Sequence, residues 1–265
     1  MADEPVLKYE TRENGRIAIL TMNRPEAMNA LSSDLSYAIT EGWHRFAQDD
    51  DAWVAIFTGA GRAFCAGADL KETSLRRRGL LPPTPPRVPL APVYPLGERL
   101  NCWKPTIAAI NGFAIAGGFN HAMQMDVRIA ADSAEIGVAE VRWNMGAGWL
   151  FPLTRQMHLQ HALELVLWGD KRISAQRAYE MGWVNKVVPL DKLMDESMEW
   201  AERILYLAPR SLRNLKQIVC RGFYMSPGEA QAFASALEQN LTGMEDSIEG
   251  PTAFAEKRKP IFKNR

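Results

Sequence analysis

Two stretches of this chain leave the backbone bare where a strand should end, and one carboxyl follows them in an apolar run. "FCAGADL" (64–70) comes directly after the strand-like "WVAIFTG", and "NGFAIAGGFNHAMQMD" (111–126) comes after "TIAAI". Each offers an unencumbered main-chain amide, Ala68 in the first and Gly117 in the second, where a helix is expected to open at Gly117–Asn120. Two N–H donors converging on one oxygen stabilise the negative charge that builds as a carbonyl or thioester becomes an enolate. The glycines alone serve tight strand–helix packing equally well, and the GxGxxG spacing of a dinucleotide loop is absent. An enolate also needs a proton carrier. Glu140, in "IGVAEVRWNMGAG", sits just after a strand among apolar residues. Burial there would raise its pKa and suit it to acid–base work; the alternatives are a structural pair with Arg142 or an exposed loop position.

These groups need elements to hold them. "LKYETRENGRIAILTMNR" reads as a hairpin around "ENGR". "SSDLSYAITEGWHRFAQDD" reads as an amphipathic helix with Leu35, Ile39, Trp43 and Phe46 on its inner face. "WVAIFTG", "TIAAING", "VRIAA" and "AEIGV" read as strands, and their alternation with helical segments predicts α/β architecture with crossover units. After Gly148 the chain becomes mostly helical, with "VNKVVP" as a further short strand. Seven prolines in residues 76–95 predict an extended loop, either a surface insertion or a lid that brings Arg76, Arg77 and Arg78 near a phosphate.

Composition narrows the function classes. Of 265 residues, 47% are hydrophobic and 23% charged, enough for a sizeable core. Lys+Arg and Asp+Glu both number 31, so bulk charge gives no argument for nucleic acid or an acidic membrane. Three scattered cysteines, Cys65, Cys102 and Cys220, predict no disulfide framework and a reducing, cytoplasmic setting. The four histidines form no metal-ligand spacing, so no metal is expected. No apolar run is long enough for a bilayer, and "MADEPVLKYE" does not read as a secretory signal.

From about residue 7 onward the chain resembles the crotonase family, which includes the enoyl-CoA hydratases and isomerases. The resemblance is carried by "LTMNRPEAMNALS" (20–32), "GRAFCAGADLKE" (61–72), "WKPTIAAINGFAIAGG" (103–118), "AEVRWNMGAG" (139–148), "LWGDKRISAQRAYEMGWVNKVVP" (167–189) and "EDSIEGPTAFAEKRKPIF" (245–262), in the family's order. It implies a spiral core of ββα repeats over residues 1–195 that binds an acyl-CoA thioester. It also implies a C-terminal helical region, 196–265, for oligomer contacts in a homotrimer or a hexamer built as a dimer of trimers. No cofactor is implied, because coenzyme A is part of the substrate.

By the same resemblance Ala68 and Gly117 match the oxyanion-hole amides and Glu140 a catalytic glutamate. Ala66 matches a residue of the adenine pocket, and Asp69 and Leu70 continue that loop among the substrate-binding positions. Ala27 and Met28 fall where the first loop contacts CoA. Phe254 and Lys257 match C-terminal CoA contacts, sometimes across a subunit boundary. Gly148 matches a position near the hydratase water.

The chain departs from the family at Asn120, where hydratases carry their other glutamate. Asn holds a water or a substrate oxygen but exchanges no proton near neutral pH. The neighbouring His121 points about 100° away on the helix and is expected to face elsewhere. Trp143 and Trp149 are further departures, either core residues or the walls of a pocket for a cyclic or aromatic acyl group. Hydration or dehydration and double-bond isomerisation are both open. The alternatives are an acyl-CoA hydrolase or decarboxylase, or a CoA- or RNA-binding homologue without chemistry; the zero net charge and the lack of an aromatic–basic motif argue against RNA.

Overall fold

The hairpin forms as its sequence suggests, because Glu13, Asn14 and Gly15 all adopt positive φ and turn the chain back on itself. The computed structural model describes residues 4–83 and 96–265. Strands β1 (Leu7–Arg12) and β2 (Ile17–Met22) pair antiparallel, Leu7 opposite Met22. Helix α1 (Ser33–Gln48) starts at Ser32, whose hydroxyl accepts the Leu35 amide, and it buries Leu35, Ile39, Trp43 and Phe46.

The chain then repeats a strand–strand–helix turn. The first turn is β3 (Val54–Gly59), β4 (Ala63–Cys65), α2 (Leu70–Arg77) and the short α3 (Leu96–Leu100). Then come β5 (Thr106–Ile110), β6 (Phe113–Ile115) and α4 (Gly117–Met123). The third turn has β7 (Val127–Ala131), β8 (Glu135–Gly137) and α5 (Leu159–Leu167), and the next has β9 (Ile173–Ser174), α6 (Ala175–Glu180) and β10 (Lys186–Val188).

In each of the first three pairs the leading strand enters a six-stranded sheet, β1-β2-β3-β5-β7-β10, parallel apart from β1. The following strand enters a four-stranded sheet, β4-β6-β8-β9, parallel except for β9. This is the ββα spiral that the resemblance implies. Buried on both faces, β3 and β5 read as continuous apolar runs. Phe57 on β3 sits between Trp43 and Phe64, edge-on at 5.4 and 5.5 Å, at the centre of the core.

The last helices are α7 (Leu193–Ile204), α8 (Pro209–Gly222), α9 (Pro227–Gln239) and α10 (Glu245–Ala255). Helix α7 lies on β3, β5 and β7, and α8 packs against α9.

The proline-rich segment needs one correction. Arg76 and Arg77 are not in an extended loop but form the last turn of α2, where cations complement the helix dipole. Arg76 is tied to Glu72, to the Ser33 hydroxyl and to the Pro82 carbonyl, so it is already engaged. Residues 84–95, and with them the proposed lid, lie outside the described residues.

Candidate active site

β4, β6 and β8 are parallel neighbours, so their C-terminal ends emerge side by side. Ala68, Gly117 and Glu140 each follow one of these ends by two or three residues. Ligands bind at such carboxyl ends of parallel strands because the loops there are free of the ladder.

The first loop is aimed by a long-range contact. Leu31 and Ala68 form a parallel bridge in which the Leu31 N–H donates to Gly67 O at 2.8 Å and the Asp69 N–H to Leu31 O at 3.2 Å. A parallel bridge uses the groups flanking the bridged residue, so the N–H of Ala68 itself turns to the opposite side. Among the described residues it donates to no protein acceptor, whereas the Ala66 N–H is taken by Met28 O at 3.0 Å.

The second loop turns at Ala116, whose φ of 55° and ψ of −121° are rare for a residue with a Cβ. The turn puts the Gly117 N–H at the start of α4, without an intrahelical partner. The loops touch. A Cβ on Gly117 would stand 3.9 Å from the Ala68 nitrogen, and one on Gly67 would stand 3.3 Å from the Gly117 nitrogen. A Cβ on Gly118 would strike Cys65 O at 2.1 Å. The glycines therefore serve packing, and the packing brings both amides to one place. The Cys65 thiol beneath them is buried and its pKa is pushed up to about 12, so it stays protonated.

Glu140 opens a short 3-10 turn, Glu140–Trp143, and is 6% exposed. Its pairing with Arg142 does not occur: the Arg142 guanidinium lies over the Trp143 ring at 5.4 Å, and no cation among the described residues pairs with Glu140. Among the described residues its Oε2 has no hydrogen-bond partner. Burial pushes the carboxyl above the ordinary value of 4.5, opposed in part by the amides of Glu140 and Ala139.

Glu140, Ala68 and Gly117 line one cleft of about 300 Å³ with Leu31, Ala66, Leu70, Ala116, Ala139, Trp143, Met145, Gly146 and Trp149. Several sequence candidates sit elsewhere. Asn120 is 1% exposed, off the cleft wall, and its Oδ1 accepts the Gln124 amide at 2.9 Å. His121 packs edge-on against Phe57 at 5.8 Å, facing the core as its helical phase requires. Gly148 is exposed and not on the cleft wall, where Gly146 takes the lining position beside Trp149. Asp69 caps α2 through the Glu72 amide and pairs with Arg24 at 3.3 Å, so its side chain braces the first loop. Ala27 and Met28 are half-buried around the 3-10 turn Pro25–Ala27. Phe254 is 87% exposed, and Lys257 lies exposed just past α10, both away from the cleft wall.

Sequence reasoning missed Asn29. It is fully buried, accepts the Arg24 amide at 2.8 Å, and donates to Ala60 O at 2.9 Å and Ala63 O at 2.8 Å. It ties the first loop to the β3–β4 turn, and the only sequence signal was an Asn inside the motif "EAMNALS", a residue type that tolerates the positive φ it adopts. Asn29→Ala is expected to lower stability by about 2–4 kcal/mol, since several buried groups lose their partner at once. A denaturant midpoint within error of the parent would refute that role.

Among the described residues no three or more His, Cys, Asp or Glu side chains gather as a metal site would need. No described helix is long and apolar enough to cross a membrane.

Comparison with known proteins identifies the family. Residues 12–265 match the Enoyl-CoA hydratase/isomerase family. The chain is 36% identical to (E)-benzylidenesuccinyl-CoA hydratase of Thauera aromatica, covering 94% of this chain and 96% of that one. It is also 36% identical to short-chain-enoyl-CoA hydratase of Clostridium acetobutylicum, over 96% and 97% of the two chains. Its fold superposes on the crystal structure of enoyl-CoA hydratase from Mycobacterium tuberculosis H37Rv with a TM-score of 0.86 at 32% identity, covering 99% and 100%. The chain belongs to the enoyl-CoA hydratase/isomerase family. It is an enzyme of that type, with the crotonase fold.

Proposed function

We propose that the cleft receives the acyl end of a CoA thioester, with its carbonyl oxygen on the Ala68 and Gly117 amides, and that Glu140 alone carries the protons. The supporting observation is that Glu140 is the only ionisable residue among the described residues lining the cleft. The reaction such a site serves without a second acid is double-bond isomerisation. The Glu140 carboxylate removes a proton from the α-carbon of a β,γ-enoyl thioester, and electron density moves onto the thioester oxygen between the two amides. The protonated Glu140 then returns the proton to the γ-carbon, leaving the α,β-enoyl thioester.

The names of the relatives favour hydration as a second reading. There Glu140 would take a proton from water as oxygen adds at the β-carbon and return a proton at the α-carbon. Asn120, engaged by Gln124, offers this step little help.

Turnover of β,γ- and α,β-enoyl-CoA esters in heavy-oxygen water separates the readings. Double-bond movement at unchanged mass supports isomerisation, and label in an intact thioester supports hydration. Label in a free acid would mean hydrolysis and would remove both. On either reading the base must be ionised, so kcat/KM should fall on the acid side with an apparent pKa above 4.5. An acid limb at or below that value would count against Glu140.

Ala66 borders the adenine site, Ala27 and Met28 border the CoA chain, and Phe254 on α10 and Lys257 just past it contact CoA, within one subunit or across a subunit boundary. Leu215 and Val219 on α8, Phe223 just past its end, and Ile248 and Phe254 on α10 are exposed apolar side chains, which suits subunit contacts in a trimer or a dimer of trimers. Size-exclusion chromatography with light scattering tests this; a monomer at micromolar concentration would overturn it.

A further inference from the structure

We infer that the acyl group selected by this cleft carries an aromatic ring, seated against Trp149 and Trp143. The inference rests on the acyl-CoA reading above and adds the substrate class. Among the described residues, beyond the two backbone donors and Glu140, the cleft wall is apolar: Leu31, Leu70, Met145, Trp143 and Trp149, with small residues elsewhere.

The two indoles differ in how they are held. Trp149 is half-buried and rests on Phe119 at 6.0 Å, and Phe119 stacks on Trp183 at 4.4 Å with the rings 9° apart. A ladder of core rings thus fixes Trp149 as a rigid wall. Trp143 is 50% exposed and has the Arg142 guanidinium over its ring, so it forms the outer wall at the mouth. Asn144, in the left-handed conformation at φ 50°, turns the chain between Trp143 and Met145. Met145 adds a thioether, which makes favourable contacts with ring edges.

Size and entropy point the same way. A dry apolar cavity of roughly 150 Å³ holds one benzene ring. This cleft has about 300 Å³, room for a ring and the short chain joining it to the thioester. An alkyl chain of equal area must freeze a rotor at each bond, whereas a ring brings its area already rigid. Ring–ring contact adds roughly 2- to 12-fold in affinity per pair beyond area burial.

The test uses binding and turnover separately. Saturated 3-phenylpropionyl-CoA and octanoyl-CoA, titrated by intrinsic tryptophan fluorescence, read the preference without any reaction. The aryl thioester is expected to bind about tenfold more tightly. The kcat/KM ratio of phenyl-bearing to straight-chain enoyl-CoA should favour the aryl substrate by a similar factor, chiefly through KM. Trp149→Leu should bring both ratios to within about twofold of parity, and Trp143→Leu should do so in part. Equal or tighter binding of octanoyl-CoA by the parent overturns the inference, as does a Trp149→Leu protein of native circular dichroism that keeps the aryl preference. If Trp149→Leu does not fold, the parent's binding ratio and Trp143→Leu still decide. An aryl preference in binding with no turnover of any enoyl-CoA would leave this inference standing and remove the reaction proposed above; saturable binding of neither thioester would remove both.

Discussion

Glu140→Gln is expected to lower kcat by about 10³-fold while acyl-CoA affinity stays within about threefold, because Gln keeps the shape and loses the exchangeable proton. Among the described residues no second titratable group lines the cleft to take over, so no rescue at high pH is expected. Single-turnover kinetics beside a binding titration checks this, and turnover near the parent's would transfer the proton chemistry elsewhere. Stability should move in the other direction. The folded-state pKa of Glu140 lies above its ordinary value of 4.5. The folded protein therefore binds the proton more tightly than the unfolded chain. The stability this brings is fully present below 4.5 and is lost as pH rises through the folded value. As pH rises above 4.5 the parent loses that contribution whereas Gln does not titrate, so Glu140→Gln should gain stability relative to the parent on going from acid to neutral pH. Melting curves at acid and neutral pH would expose the opposite trend.

The second large effect belongs to Gly67. Its φ of 90° suits glycine alone, and a Cβ there would stand 2.8 Å from Ala116 Cβ and 2.9 Å from Ile115 O. Gly67→Ala drives a wedge between the loops that carry the two amides. Displacing one oxyanion donor costs about 10²- to 10³-fold in kcat, and a loss of that size is expected here. Strain at this φ adds roughly 1–2 kcal/mol of lost stability. The loss should fall on kcat more than on KM, since the donors matter most when charge sits on the oxygen. A folded Gly67→Ala protein with parental kcat would mean that the two amides do not act together.

Much of the frame was legible in the chain. The buried strands β3 and β5 announce themselves as apolar runs, and α1 carries its cap and its inner face in plain sequence. The smaller sheet was harder to read. Its strands β4, β6 and β8 have three residues each, too few for a period-2 pattern to stand out. Their pairing with one another is long-range, so no local signal marks it.

The sequence by itself determined the ingredients: two glycine-bearing loops at strand ends, one glutamate in an apolar run, no acid at Asn120, and tryptophans in the segment after Glu140. Residue type sets these, because only glycine fits the close backbone approach and only a carboxyl exchanges the proton. The tertiary structure alone decided which ingredients meet. The Leu31–Ala68 bridge aims one amide, and the strained turn at Ala116, whose N–H donates to Gly137 O at 2.9 Å, aims the other. Those choices depend on contacts between segments up to tens of residues apart. Such contacts exist only once the parallel strands lie side by side and their open ends share one face of the protein.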